Sequence, residues 1–243
     1  MADLRIFFLF TLFTFISGCS TIPFNKSEHP LSPRILSRMH KKGTHEYSPS
    51  LIRIFKQENI LEIWKQTSEK TYVKIKSYKI CAWSGKLGPK IENGDKQSPE
   101  GFYHIQWENL NPYSRYYLSM NIGFPNSFDK TNLRTGVDIM IHGDCASSGC
   151  YSIRNKSMRE IYGIVRDSFR GGQSHLQIQI FPFRMTERNM QRYRNNPNYP
   201  FWKNLQIGYN YFETNRKEPV VRVYEKQYVF FHNNNPNGED IDY

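Results

Sequence analysis

The chain is short of acid. Asp and Glu number 22 against 33 Lys and Arg, a formal net charge of +11, so an acidic partner suits it better than a basic one. It also lacks an apolar run long enough to span a membrane, because the longest, Ile6 to Ile16, falls well short of the ~20 residues needed. There is no P-loop, no dinucleotide fingerprint and no serine nucleophile elbow. ATP- or NAD-driven chemistry is therefore unsupported and no cofactor is expected. Cysteine is scarce, four in all, with no C-x-x-C pair and no internal repeat.

What is present begins with an export signal. Arg5 precedes the apolar run, which has the length of a signal-peptide core, and residues 1–18 read as that peptide. The segment ends Ile16-Ser17-Gly18-Cys19, which resembles a bacterial lipobox with cleavage before Cys19 and lipid on its sulfur. The alternative is an ordinary signal peptide with an incidental cysteine. Ser20 after the cysteine favours the outer membrane by bacterial analogy, so the expected place is the periplasm, as a membrane-anchored lipoprotein. Losing residues 1–18 removes Asp3 and Arg5 together and leaves the charge at +11. Interleaved Lys, Arg, Tyr and Phe could track a nucleic acid. An exported chain rarely meets one, so no nucleic-acid partner is expected, and peptidoglycan carboxylates are the better match. Most of the individual basic residues read as solvated surface.

Residues 19–49 are polar and proline-bearing and read as a lipid-anchored tether with one helical turn near Arg34 to Met39. Leu51 to Lys56, Leu61 to Lys65 and Thr71 to Tyr78 alternate as strands do. Gly85 to Gly101, rich in glycine and proline, reads as one long mobile loop bordering a substrate groove. Strand character returns at Tyr103 to Ile105, Tyr116 to Met120, Gly136 to Ile141, Leu176 to Phe181 and Val220 to Tyr224. Helices are expected over Lys156 to Arg170, stopped by Gly171-Gly172, and over Thr186 to Arg194 with Thr186 as N-cap. Phe201 to Phe212 is dense in aromatics, and Asn233 to Tyr243 reads as a frayed tail. The fold class is mainly β with flanking helices, α+β. A core domain spans residues 50–182, with 183–243 a helical and aromatic C-terminal extension packed on it.

One stretch concentrates chemistry: Ile141-His142-Gly143-Asp144-Cys145-Ala146-Ser147-Ser148-Gly149-Cys150-Tyr151-Ser152-Ile153. A thiol attacks as its thiolate, so a nucleophilic cysteine needs a base nearby. His142 stands at the end of an expected strand, and the turn-forming residues after it let the chain double back, which makes His142 and Cys150 a candidate pair.

An HG pair followed by S-x-G-C resembles the catalytic signature of the YkuD-type L,D-transpeptidases, and the wider chain is similar to their YafK-like branch. The likeness runs from about Ile60 to Val229 and includes Cys81-Ala82-Trp83-Ser84-Gly85, Leu87-Gly88-Pro89-Lys90, Gly94 to Tyr103, Asn121 to Asn126 and Pro182 to Met185. The resemblance implies a β-sandwich, Cys150 as nucleophile, His142 as base, the Gly143 carbonyl orienting the imidazole, and an oxyanion hole of amides around Gly149 and Cys150. It further implies a substrate, the diaminopimelate-bearing stem peptide of peptidoglycan, joined to an acceptor amine through a thioester. Most of the wider family has histidine before the Gly-Cys pair and a longer loop; Ser148 stands here instead. Ser148, Tyr151 and Arg154 are candidate substrate contacts, as is Arg134. His104 reads as structural or pocket-lining, and His175 as solvated.

Alternatives remain open on sequence alone. Water could replace the acceptor amine, giving a hydrolase that cuts a diaminopimelate-linked peptide or a wall-linked lipoprotein from the wall. An inactive, lipid-anchored wall-binding protein would keep the fold without turnover. His142, Cys145 and Cys150 offer three ligands that zinc accepts, although the expected site holds no metal. With Cys19 lipidated, three cysteines are left, and an odd count leaves one thiol free. Cys81 and Cys145 are then expected to be paired, or at least outside the chemistry.

Overall fold

The structure is a computed structural model that describes residues 25–231. The export signal, Cys19 and the tail from Asn233 lie outside the described residues. The chain is mainly β with several helices, as its alternating segments require.

Strands β1 (Ser50–Phe55), β2 (Ile60–Gln66), β3 (Tyr72–Ala82), β4 (Gly101–Ile105), β5 (Leu110–Asn111), β6 (Ser119–Asn121), β7 (Met140–His142), β8 (Tyr151–Ile153) and β9 (Leu176–Phe181) join in one sheet. Its order is β4-β9-β1-β2-β3-β8-β7-β6-β5. The long β3 belongs to both halves. Tyr72 to Lys79 pair with β2, and Ile80 and Ala82 pair with β8. Ile52, Ile54 and Ile63 from one half share a cluster with Met120, Ile141 and Ile153 from the other, so both halves close on one core. Helix α3 (Asn155–Arg170) packs there through Met158, Ile161, Ile164 and Val165.

Residues expected to form a tether are folded where they are described. Helix α1 (Pro33–Lys41) is capped by Ser32, whose hydroxyl accepts from the Ile35 amide. It buries Ile35 and Met39 in the main core. Pro33, which looks like a breaker, occupies the first helical position, where its missing N–H costs nothing.

The outer face of the sheet is covered as well. Leu51 and Phe55 alternate with Ile52 and Ile54 and enter separate aromatic clusters on the other side. That side is closed by α2 (Ser127–Thr131), α4 (Glu187–Arg192), α5 (Tyr199–Asn215) and the hairpin β10 (Val220–Tyr224) and β11 (Gln227–Phe231). Arg53 reaches this layer, pairs with Glu213 of α5 and stacks on Phe212 at 4.4 Å. Gln177 and Gln179 of β9 look solvent-facing in sequence but are wholly buried there. Gln179 accepts from Arg53 and Gln177 donates to the Pro219 carbonyl.

Two expected strands differ. Of the Gly136 to Ile141 segment only Met140 and Ile141 are strand, continuing into His142, because Gly136 and Asp138 have φ of 144° and 56°, outside the extended region. The strand expected over Tyr116 to Met120 starts at Ser119, after Tyr117 at φ 71°. Among the described residues no helix is long and apolar enough to cross a membrane.

Candidate active site

β7 and β8 run parallel, with Ile141 beside Tyr151 and His142 beside Ser152. Side chains alternate along a strand. Ile141 and Tyr151 therefore enter the core, while His142 and Ser152 point to the opposite face. Cys150 is one residue before this register, beside Met140 and on the same face as His142. The two residues are therefore diagonal neighbours on one face of paired strands about 4.8 Å apart.

The His142 ring is buried and tied down. Nδ1 faces the Gly143 carbonyl, which can only accept, so Nδ1 carries the proton and Nε2 is left as the basic atom. Tyr116 packs against the ring, tilted by 37° with 4.8 Å between centroids. The Tyr116 carbonyl also accepts the Gly143 amide at 3.0 Å. Asn155, at the start of α3, accepts from the Asp144 amide and donates to the Asp144 carboxylate, which fixes the turn. A Cβ on Gly143 would lie 2.5 Å from Asn155 Oδ1 and 2.8 Å from the Tyr116 carbonyl, so only glycine fits.

The Cys150 thiol accepts from the Met140 amide at 3.4 Å and donates to the Asp138 carbonyl at 3.7 Å. The left-handed Asp138 thus turns its carbonyl onto the sulfur. Burial pushes the thiol pKa up, the Met140 N–H and the Lys90 ammonium pull it down, and Asp138 raises it further. Burial pushes His142 below the ordinary imidazole value, against the opposing effects of the Gly143 carbonyl and Asp144. Both shifts favour a neutral thiol beside a neutral imidazole at rest.

Cys81 and Cys145 are disulfide-bonded, with Cα atoms 5.3 Å apart, which pins the turn between His142 and Cys150 to the end of β3. Cys145 is then no thiolate ligand, and the three-ligand zinc alternative loses a donor. Among the described residues Cys150 is the free cysteine.

Three serines gather round the backbone of Gly149 and Cys150. Ser98 and Ser147 hydroxyls donate to the Cys150 carbonyl at 3.2 and 2.7 Å. The Gly149 amide, expected among the oxyanion donors, donates instead to Ser84 Oγ at 2.6 Å. In this arrangement it is occupied. Ser84 escapes sequence reasoning because it lies on a distant segment, although it stands within Cys81-Ala82-Trp83-Ser84-Gly85, one of the stretches that carries the family resemblance. Tyr116 and Asn155 give no such signal.

The segment from Gly85 to Gly101 is irregular, as expected, but it is firmly held rather than loose. Lys56 Nζ, fully buried, donates to the carbonyls of Lys86, Gly88 and Ser98 and to Glu100 Oε1 at 2.9–3.0 Å. Glu100 also accepts from the Gly88 amide and from Trp202 of α5. Gln97 and the Lys90–Asp95 pair close the rest of the loop.

The expected substrate contacts divide. Ser148 and Arg154 are exposed on the side of the turn. Tyr151 is not a surface contact: it is wholly buried, and its hydroxyl donates to the Pro99 carbonyl at 2.6 Å. Alternation puts it on the opposite side of β8 from Cys150. Arg134 is paired with Asp129 at 3.0 Å and stacked on Phe128 and Phe201, committed to packing. His104 lies 3.8 Å from Glu218 and beside His175, in contact with neither His142 nor Cys150.

Comparison with known proteins adds a family. The family model described as the YkuD L,D-transpeptidase catalytic domain matches residues 49–170. YafK of Escherichia coli K12, itself named only as a candidate L,D-transpeptidase, is 47% identical over 182 residues, covering 75% of this chain and 74% of its own. The same holds for YafK of Escherichia coli O157:H7. Among solved structures, the helical cell shape determining protein Pgp2 of Campylobacter jejuni overlaps loosely, with a TM-score of 0.46 and 15% identity over 82% of this chain and 89% of that one. Bd1075 of Bdellovibrio bacteriovorus overlaps with a TM-score of 0.40 and 21% identity over 77% and 78%.

Proposed function

The chain belongs to the YkuD L,D-transpeptidase family and is an enzyme of that class; on that premise we propose that Cys150 is its nucleophile and His142 its general base, with a thioester between donor and acceptor. The observation that carries the reading is the free Cys150 thiol on the same face of β7 and β8 as an imidazole whose Nδ1 is fixed by Gly143. The remaining described cysteines are bonded to each other.

The substrate under this reading is a diaminopimelate-bearing stem peptide. As the sulfur attacks the amide carbonyl, the S–H proton passes to His142 Nε2, which the Gly143 contact keeps free to receive it. The Cys150 amide is the proposed donor to the developing oxyanion, and the Gly149 amide joins it only if Ser84 releases it. Nε2 returns the proton to the departing amine, leaving a thioester on Cys150. An acceptor amine then attacks that carbonyl, gives a proton to His142, forms the new amide and frees the thiol. Transpeptidation is the first reading. Discharge by water is the second, supported by the open turn: Asp144, Cys145, Ala146 and Ser148 are all exposed, so solvent reaches the thioester side.

The same proposal has the chain exported and lipidated at Cys19, resting on Arg5, the apolar run and Ile16-Ser17-Gly18-Cys19. Incubation with tetrapeptide muropeptides and a labelled diamino-acid acceptor tests the reaction. Label in the product supports transpeptidation, whereas cleaved product without label would favour hydrolysis.

A further inference from the structure

One face gathers a group of basic residues. Arg34, Arg38 and Lys41 of α1 and Lys42 at its C-cap lie along adjoining clefts that continue to Lys156 and Arg159 of α3. Ile35 and Met39 of α1 are turned into the core, which leaves Arg34 and Lys41 to solvent, while Arg38 is half-buried and donates to the Ile75 carbonyl. The acid within these clefts is Glu160, and Lys76 is already paired with it. A face of this kind repels itself in isolation and gains from a partner carrying many negative charges.

Its position says what the partner is. The chain enters the described fold at Asn25, and the short turn Lys26–Glu28 is held to α3 by Arg166, whose guanidinium donates to the carbonyls of Ser27 and His29. Pro30, Leu31 and Ser32 then line the cleft shared with Lys156 and Arg159. Five residues lie between Cys19 and Asn25, which makes six steps along the chain. Fully extended, six residues reach about 20–22 Å. A lipid on Cys19 therefore confines this side of the domain to roughly that distance from the bilayer, a span over which anionic headgroups attract basic residues once the two surfaces approach to within a Debye length of ~8–10 Å.

We infer that the face formed by α1 and the N-terminal half of α3 docks on the anionic phospholipid headgroups of the bilayer that holds the Cys19 lipid, an inference that rests on the lipoprotein reading of the export signal. Docking orients the domain and makes a second attachment beside a single lipidated residue. Asn155 at the start of α3 belongs to the turn beside His142, but Lys156, Arg159 and the basic residues of α1 hold neither His142 nor Cys150, so reversing their charge leaves the chemistry intact.

The test uses residues 20–243 without lipid, which keep every residue of the described cores. Co-sedimentation is measured with vesicles of phosphatidylethanolamine containing one quarter phosphatidylglycerol, and with phosphatidylcholine vesicles. Binding is expected to the anionic vesicles alone and to disappear in 0.5 M salt. Two charge reversals separate folding from docking: Arg34→Glu with Lys41→Glu and Lys42→Glu on α1, and Lys156→Glu with Arg159→Glu on α3. Each is expected to weaken vesicle binding at least tenfold while turnover of soluble muropeptides is unchanged. Equal binding to both vesicle types, undiminished binding by both variants, or binding to isolated peptidoglycan without binding to vesicles would overturn the inference. The intact mass of the chain recovered from cells tests the lipoprotein reading separately. An unlipidated Cys19 with vesicle binding retained would refute that reading and leave the basic face as the sole membrane contact.

Discussion

Cys145 is bonded to Cys81, so the turn separating His142 from Cys150 is covalently held to the end of β3. Asp144 and Cys145 take φ of 65° and 36° within that turn, conformations that non-glycine residues adopt only when their surroundings hold them. The Asn155 contacts and the disulfide supply that restraint.

Breaking the bond should loosen the site without removing the proposed nucleophile, Cys150. Cys81→Ser with Cys145→Ser is expected to stay folded and to lose roughly tenfold in kcat/KM, whereas Cys150→Ala loses all turnover. Steady-state assays with muropeptides compare the two; equal, complete loss in both would contradict the division of roles. Iodoacetamide on the native, unreduced residues 20–243 should add one group, at Cys150.

With His142 as the proposed base, its neutral form is the competent one and the imidazole sets the acid limb of activity. Burial holds its pKa below the ordinary value of ~6.5. The fall in kcat/KM on acidification should therefore have its midpoint below pH 6.5. A midpoint above that value would mean that an acidic neighbour outweighs burial.

Lys56 and Glu100 form a fully buried pair at the base of the long loop. Lys56→Met strands Glu100 without its counter-charge and should cost about 3–5 kcal/mol in urea unfolding. Adding Glu100→Gln should restore part of that stability, since the amide can still meet Trp202 and the Gly88 amide. No recovery in the double variant would show that hydrogen bonding, rather than charge, dominates the site.

Lys65 is buried against Ser50, Ser168 and the Glu46 carbonyl, and burial pushes its pKa down to about 7. The unfolded chain keeps that proton up to ~10.4. Between these values the unfolded state binds more protons, so the Lys65 contribution to stability rises with pH. Relative to Lys65→Met, the wild-type chain should gain about 2 kcal/mol from pH 7 to pH 9. A constant difference between the two chains across that range would contradict the shift.

Local pattern made much of this fold legible. Leu176 to Phe181 is the strand its alternation indicates, and the helix expected over Lys156 to Arg170 begins one residue earlier, at Asn155. Thr186 caps its helix as its side chain allows. Helix α5 was hidden because Pro200 and Gly208 interrupt it and its apolar residues surround it instead of forming a stripe. Pro200 lies in the first turn, and Gly208 admits the Phe230 and Phe102 rings, where a Cβ would come within 2.4 and 2.6 Å. That His142 and Cys150 come to one face was readable because they share one stretch. Tyr151 misleads because adjacency in sequence is opposition across a strand. Ser84, Tyr116 and the Lys56–Glu100 pair depend on contacts between distant segments, which no local pattern encodes.

The central claim is a covalent acyl group on one sulfur. Intact-mass analysis of the chain during turnover of a tetrapeptide muropeptide, followed by peptide mapping, reads it directly. The account predicts a transient adduct with the mass of the donor acyl group, located on Cys150, absent from Cys150→Ala and persistent in His142→Gln only at a far lower rate of formation. An adduct on any other residue, or turnover by Cys150→Ala, would contradict it.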